Sequence, residues 1–434
     1  MCKSKRNTNV TQPISISSRR SYENTRSFPN SNPTNSSYEI SNEDFTRSTN
    51  HTSSSESRTS RSSLKSLRDS LPEDSYIYDF SEIRSATNNF LSKQFSSSSS
   101  TSSWKCLIRG KDVIIFQRKF HRSIDSSKLR ERLTAICKSH HISLIKLLGA
   151  SVSGDYIYLV YDFVNGGGNL RDCLRRNSRN PEFSVLSTWI SRMQIAVDVA
   201  QGIEYIHHFS GLNLSLVHNH IKSSSVIVTE PLFNAKICHF GTSELCGEIN
   251  EIQEMESRFE LGEELEQQNQ TLSSARPRRW NSVKFSGTKG YMSPEYLVDG
   301  IATQKSDVYA FGVVILELLS GEEPIRVIFD KQNGQYRNVS VIETAREAVE
   351  SEDFERIRRW IDRRLKDSFP VEIAEKLTSV ALECVHDDPD KRPDMRRVSG
   401  KISKLYLESV RWKDKMAPPT DFTGPPIEFT GTLR

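Results

Sequence analysis

His218, His220 and Lys222 stand close together in HNHIKSSS, residues 218–225, and another histidine, His239, follows in the run HFG. Imidazole suits zinc, whereas magnesium takes oxygen ligands. The pair at 220 and 239 therefore reads either as two ligands of a softer metal or, the reading favoured here, as two positions released from any chemical demand. Seven cysteines (Cys2, Cys106, Cys137, Cys173, Cys238, Cys246 and Cys384) form no close pairs, which argues against a zinc ribbon or a disulfide framework and for a reducing compartment. A second feature begins at Glu244: nine glutamates up to Glu266 enclose a single basic residue, Arg258, and ARPRRW follows at 275–280. This stretch reads as a solvated acidic insertion over residues 244–274, with a docking strip for a basic partner as the alternative. Ser273, Ser274, Ser282, Ser286 and Thr288 lie near those arginines and are candidate phosphate acceptors, since guanidinium groups pair with phosphate. Cys2, followed by Lys3, Lys5 and Arg6, is a candidate for acylation and reversible membrane attachment, or else an unmodified thiol.

The elements that must position these residues are legible from composition and period. The chain has 434 residues, 35% hydrophobic and 26% charged, with 59 basic against 55 acidic side chains. That is enough apolar material for a sizeable core and too even a charge for a dedicated nucleic-acid binder. Residues 1–72 are rich in Ser, Thr, Asn and Arg and poor in aliphatics, so the expectation is a disordered tail. Strands are expected at Val113–Phe120 and Tyr156–Val164, from their β-branched and aromatic residues, with a short helix at Lys128–Lys138 between them. Leu186, Trp189, Met193, Val197, Ala200, Ile203 and Ile206 recur at helical spacing. Ser306 is read as the cap of an apolar helix ending at Gly321, and residues 408–434 as a Pro-containing tail. No secretory signal is expected at the N-terminus, and the longest apolar run, Val308–Leu319, contains Glu317 and is too short to span a bilayer.

Taken in order, several blocks resemble the protein kinase superfamily over roughly residues 76–407, and within it the plant receptor-like kinases. The blocks are FSEIRSATNNF (80–90), LVYDFVNGGGNL (159–170), GTKGYMSPEY (287–296), SDVYAFGVVILELLSG (306–321) and KRPDM (391–395). A finer similarity is to the intracellular half of LysM-type receptor kinases. The resemblance implies an α+β, two-lobed fold: a small lobe to about residue 164, built on a five-stranded antiparallel sheet with one helix, and a larger helical lobe beyond it. It also implies that Glu295 pairs with Arg392, that Asp307 braces the catalytic-loop backbone, and that Tyr161, Asp162, Phe163 and Val164 form the hinge that would receive an adenine.

At the catalytic positions the sequence departs from this pattern. No glycine lies between Phe90 and Gly110, where a glycine loop should approach the phosphates. Phe116 stands where the phosphate-gripping lysine is expected, or Gln117 on a one-residue shift, and Arg132 stands where its glutamate partner should be. His220 replaces the base, Ser225 and His239 replace the two magnesium ligands, and Lys222 alone keeps its family identity in that part of the loop. The expected function is a receptor-like cytoplasmic pseudokinase that acts as scaffold or allosteric partner of active receptor-like or cytoplasmic kinases. The alternatives are an atypical Ser/Thr kinase and a nucleotide-binding switch that takes ATP without magnesium.

Overall fold

The computed structural model of the chain describes residues 76–98, 101–122, 124–175, 186–208, 216–249, 287–330, 334–350 and 354–416. The chain divides into two units after Ser57, and all of these residues belong to the second. The expected tail, Cys2, most of the acidic insertion and Ser273, Ser274, Ser282 and Ser286 lie outside the described residues.

The small lobe contains β1 (Tyr76–Ile77), α1 (Phe80–Ala86), β2 (Ser96–Ser98), β3 (Thr101–Ile108), β4 (Lys111–Lys119), α2 (Ser126–Lys138), β5 (Leu147–Ser153) and β6 (Tyr156–Asp162). Its sheet runs β1-β5-β6-β4-β3-β2. The five-stranded expectation needs correction: β1 adds a sixth strand, paired parallel to β5 through Tyr76 and Gly149, and α1 adds a second helix. That helix starts where the Asp79 N–H donates to Glu82 Oε2 at 3.0 Å, a reciprocal bond that satisfies an otherwise orphaned donor at a helix start. It buries Ile83 against Val113, Ile115, Tyr158 and Val160 on the outer face of the sheet. Side chains alternate across a strand, so Val113 and Ile115 of β4 serve this outer cluster while Ile114, Phe116 and Arg118 line the cleft between the lobes.

The large lobe follows with β7 (Gly167–Asn169), α3 (Leu170–Arg175), α4 (Trp189–His208), β8 (Val226–Thr229), β9 (Asn234–Ile237), α5 (Thr242–Leu245), α6 (Pro294–Asp299) and α7 (Gln304–Ser320). Beyond these come the β10–β11 hairpin (Ile325–Asp330, Gln335–Ser340), α8 (Val341–Val349), α9 (Phe354–Trp360), α10 (Val371–Cys384) and α11 (Met395–Met416). The core centres on α7, buried from Ser306 to Ser320. Its cap is Thr303, not Ser306; Ser306 sits three residues in, its backbone N–H donating to Thr303 Oγ1 at 3.1 Å and its hydroxyl accepting from the Thr303 N–H at 2.9 Å. At Gly312 any Cβ would fall 2.7 Å from Val385 and 2.9 Å from the Ala381 carbonyl, so α7 and α10 approach as closely as they do only because the residue is glycine. No helix among the described residues is long and apolar enough to cross a membrane.

The expected tail boundary at 408 is also corrected, because α11 continues to Met416. Val398, Ile402, Leu405 and Ser409 keep one face buried, and Trp189 Nε1 donates to Ser409 Oγ at 2.9 Å. Ser409→Ala should lower stability by about 1–3 kcal/mol by leaving the buried indole N–H without an acceptor. Urea unfolding reads this directly; an unchanged midpoint would mean that the helix end contributes no packing.

Candidate functional site

β4 and the end of β9 face each other across a cleft of about 610 Å³. Phe116 projects from β4 and meets the His239 ring edge-on, 4.6 Å between centroids. Two residues on, with the same facing, Arg118 also enters the cleft, and its Nε is buried without a hydrogen-bond partner. His239 adopts a left-handed backbone, φ 68°, and its Nδ1 is likewise buried and unpartnered. Burial, together with the nearby charges of Arg118, His220, His218 and Lys222, holds the His239 imidazole well below its ordinary range, so the ring is neutral at physiological pH.

The catalytic loop is fixed from below by Asp307, whose carboxylate accepts the backbone N–H groups of His218 and Asn219 at 2.7 and 2.8 Å. It also lies 3.1 Å from His207 Nε2. His218 Nδ1 accepts the His220 N–H at 3.2 Å, so its Nε2 carries the proton and donates to the Cys238 carbonyl at 2.9 Å. Burial first, eased in part by Asp307, pushes the His218 pKa down to about 4.

At the position of the base, His220 Nε2 lies 3.0 Å from a carboxylate oxygen of Glu248, and Asn219 Nδ2 donates to the same carboxylate at 3.1 Å. Burial alone would raise the Glu248 pKa, but the His220, Arg118 and His121 charges bring it to about 2. On α2, Arg132 turns away from the phosphate-gripping position: its guanidinium donates to the Glu244 carbonyl at 3.3 Å and lies 3.7 Å from the Glu244 carboxylate. The first two glutamates of the acidic run are thus buried partners of the small-lobe helix and the catalytic loop. This corrects the solvated reading for residues 244–249. The cause is that α5 folds back beneath α2, where Gly241, φ 81°, packs so close to Ile136 that a Cβ would fall 2.6 Å from it.

Among the hinge residues, Tyr161 is buried and acts as a strut, its hydroxyl donating to the Phe240 carbonyl at 2.8 Å. Asp162 pairs with Lys111 at 3.4 Å. Phe163 carries Lys105 Nζ 3.9 Å from its ring centroid and Phe95 edge-on at 5.8 Å, and Val164 lines the cleft. Lys222 Nζ donates to the exposed Thr288 hydroxyl at 3.2 Å, while Ser225 is buried with its Oγ unpartnered. Arg392 donates to both Glu295 oxygens at 2.6 and 2.7 Å.

A family model described as the protein kinase domain matches residues 111–401. The chain belongs to the protein kinase family. Among its plant receptor-like relatives, this kinase-family chain is 30% identical to LysM domain receptor-like kinase 3 of Arabidopsis thaliana over 348 residues, 79% of the chain and 48% of the relative. It is 31% identical over 336 residues to PTI1-like tyrosine-protein kinase 3 of the same plant, 76% and 72% of the two chains. It spans about half the length of the LysM relative and of Protein LYK5. Among solved structures, the pseudokinase domain of BIR2, an immune regulator of the RLK/Pelle family, is similar at a TM-score of 0.54 and 23% identity, covering 78% of this chain and 90% of that one. That likeness concerns the fold.

A protein kinase domain holds nucleotide with a lysine and binds magnesium through an aspartate and an asparagine. The residues of this kinase-family chain do not fit that metal: a neutral imidazole and a hydroxyl occupy the ligand positions, and magnesium prefers a carboxylate. Nor does zinc find a set here, since among the described residues no group of three or more His, Cys, Asp or Glu is placed to hold a metal. Arg118, Glu244, Glu248 and Asn219 were missed from sequence. A signal for Arg118 existed, because a period of two carries it to the same face as Phe116.

Proposed function

We propose that this member of the plant receptor-like kinase group is a pseudokinase, a kinase scaffold that an active receptor-like kinase phosphorylates and binds. The observation that carries the reading is Glu248: where a kinase keeps its base free for the substrate hydroxyl, His220 lies 3.0 Å from a buried carboxylate held in turn by Asn219. A base carboxylate replaced by an imidazole, no magnesium carboxylate and a kept scaffold leave binding as the function. Partner kinases of the plant receptor-like group are the natural enzymes, and Thr288 together with Ser273, Ser274, Ser282 and Ser286 are the acceptor candidates. A phosphate there adds about −1.5 to −2 charge close in sequence to Arg276, Arg278 and Arg279, whose guanidinium groups are suited to pair with it.

Mixing the full chain with an active LysM-type receptor kinase domain, ATP and Mg²⁺ should place phosphate between Thr271 and Thr288, read by mass spectrometry. A kinase-dead version of the same partner should receive none. Phosphate on the dead partner would overturn the pseudokinase reading; none between Thr271 and Thr288 would overturn the proposed acceptor role.

A further inference from the structure

Among the described residues, four that line the cleft carry a buried polar atom without a hydrogen bond: Arg118 Nε, His239 Nδ1, Ser225 Oγ and His220 Nε2, of which only the last has an ion-pair partner, the Glu248 carboxylate at 3.0 Å. Buried polar groups are almost always satisfied, and those that are not call for a missing ligand or water. Here they converge with Lys222, which lines the same cavity. The carboxylates at its edges are already engaged. Glu248 faces His220 and Asn219, Asp307 holds the catalytic-loop backbone, and Asp162 pairs with Lys111 at 3.4 Å. Of the three cations lining the cavity, Arg171 is paired with Glu323 at 3.4 Å; Arg118 and Lys222, the latter touching only the neutral Thr288 hydroxyl, face it with an imidazole that can present Nδ1–H by choice of tautomer and a hydroxyl. This donor set is complementary to the oxygens of a phosphate and offers no seat to a cation.

We propose that the cleft is a metal-independent site for the phosphate groups of a small molecule, with Arg118 as its central cation and Lys222, His239 and Ser225 completing the cradle. In a kinase the phosphate charge is neutralised largely by magnesium held on protein oxygens. Here a guanidinium fixed in the wall of β4 takes that part, and guanidinium matches phosphate geometry in a way a point charge does not. Divalent metal then becomes an antagonist: a phosphate that arrives already complexed with Mg²⁺ brings a further cation into a cavity that already holds Arg118 and Lys222. The inference rests on reading the site as catalytically silent.

The full chain, titrated at constant ionic strength with tripolyphosphate, ATP or adenosine, separates the phosphate from the nucleoside. In EDTA, tripolyphosphate and ATP should both raise the unfolding midpoint, because a ligand of the native state alone must stabilise it, and adenosine should not. Excess Mg²⁺ should shrink the shift. Arg118→Gln keeps the bulk of the side chain and should weaken binding roughly tenfold or more, the loss expected for a charged hydrogen bond. Ser225→Ala should weaken it less and serves if the first variant does not fold. Equal affinities for tripolyphosphate and ATP assign recognition to phosphate alone, and tighter ATP binding adds the hinge; both support the site. No shift with either phosphate, a shift that requires Mg²⁺, a shift from adenosine alone, or a shift unchanged in both variants overturns it. Metal-dependent phosphate transfer would instead overturn the silent reading beneath it, so the two failures are distinguishable.

Discussion

The purified chain incubated with radiolabelled ATP and Mg²⁺ will incorporate no phosphate above its Lys222→Ala variant. A positioned general base is worth roughly 10²–10⁴ in rate, and a metal at the transferring phosphate stabilises the transition state by several kcal/mol more. Both are missing here. His220 stands in place of the base carboxylate, one ring nitrogen 3.0 Å from Glu248, and His239 presents a neutral imidazole against Phe116 at 4.6 Å. The losses do not add, because these groups act as a unit. For the same reason a single reversal will not revive transfer. His239→Asp would place a carboxylate in a buried pocket beside Phe116, with Ser225 still in place of the second ligand. His220→Asp would set a carboxylate against Glu248, and two like charges that close resist joint ionisation. Robust incorporation that is abolished by changing His220 would refute the argument at its root.

Arg392→Ala will lower the stability of the large lobe by about 3–5 kcal/mol, the range for breaking a buried ion pair from one side. The Arg392 side chain is fully buried, while Glu295 keeps 19% of its side chain exposed. The guanidinium also donates to the carbonyls of His386, Lys305 and Asp387 and lies 5.0 Å from the Tyr309 ring centroid. Removing it therefore orphans a carboxylate and three acceptors and opens a cavity. The acid limb offers a second readout. Burial works to raise the Glu295 pKa, but the Arg392 and Ser293 hydrogen bonds prevail and hold it below its ordinary 4.5. A carboxylate with a depressed folded-state pKa contributes stability above its unfolded value, and that contribution is lost as pH falls through the folded value. The wild-type chain should lose this part of its stability below about pH 4.5, and Arg392→Ala should lose less there. Urea midpoints at pH 7 and pH 4 measure both; equal midpoints for the two proteins at pH 7 would show that the pair does not hold the lobe.

Local sequence carried much of this. The blocks from FSEIRSATNNF to KRPDM, in order, specify a two-lobed kinase fold, because each block has its own cap, turn or apolar period. The positions of Phe116, His220, Ser225 and His239 follow from short motifs whose internal spacing needs no tertiary information. The end of α11 was lost because, beyond Leu405, its buried face continues through a serine, and only the distant Trp189 makes that serine an inside residue. Glu244 and Glu248 read as members of a solvated acidic run, since a carboxylate is ordinarily exposed and nothing within the run could pair them. Their partners, Arg132, Asn219 and His220, come from other elements, and only the packing of α5 beneath α2 brings them together. Arg118 shows the same division: alternation in β4 decided which face it shares, but whether that face meets solvent, core or a cleft depends on the opposing lobe. Periodicity fixes direction within an element, whereas burial and electrostatic pairing are properties of elements brought together.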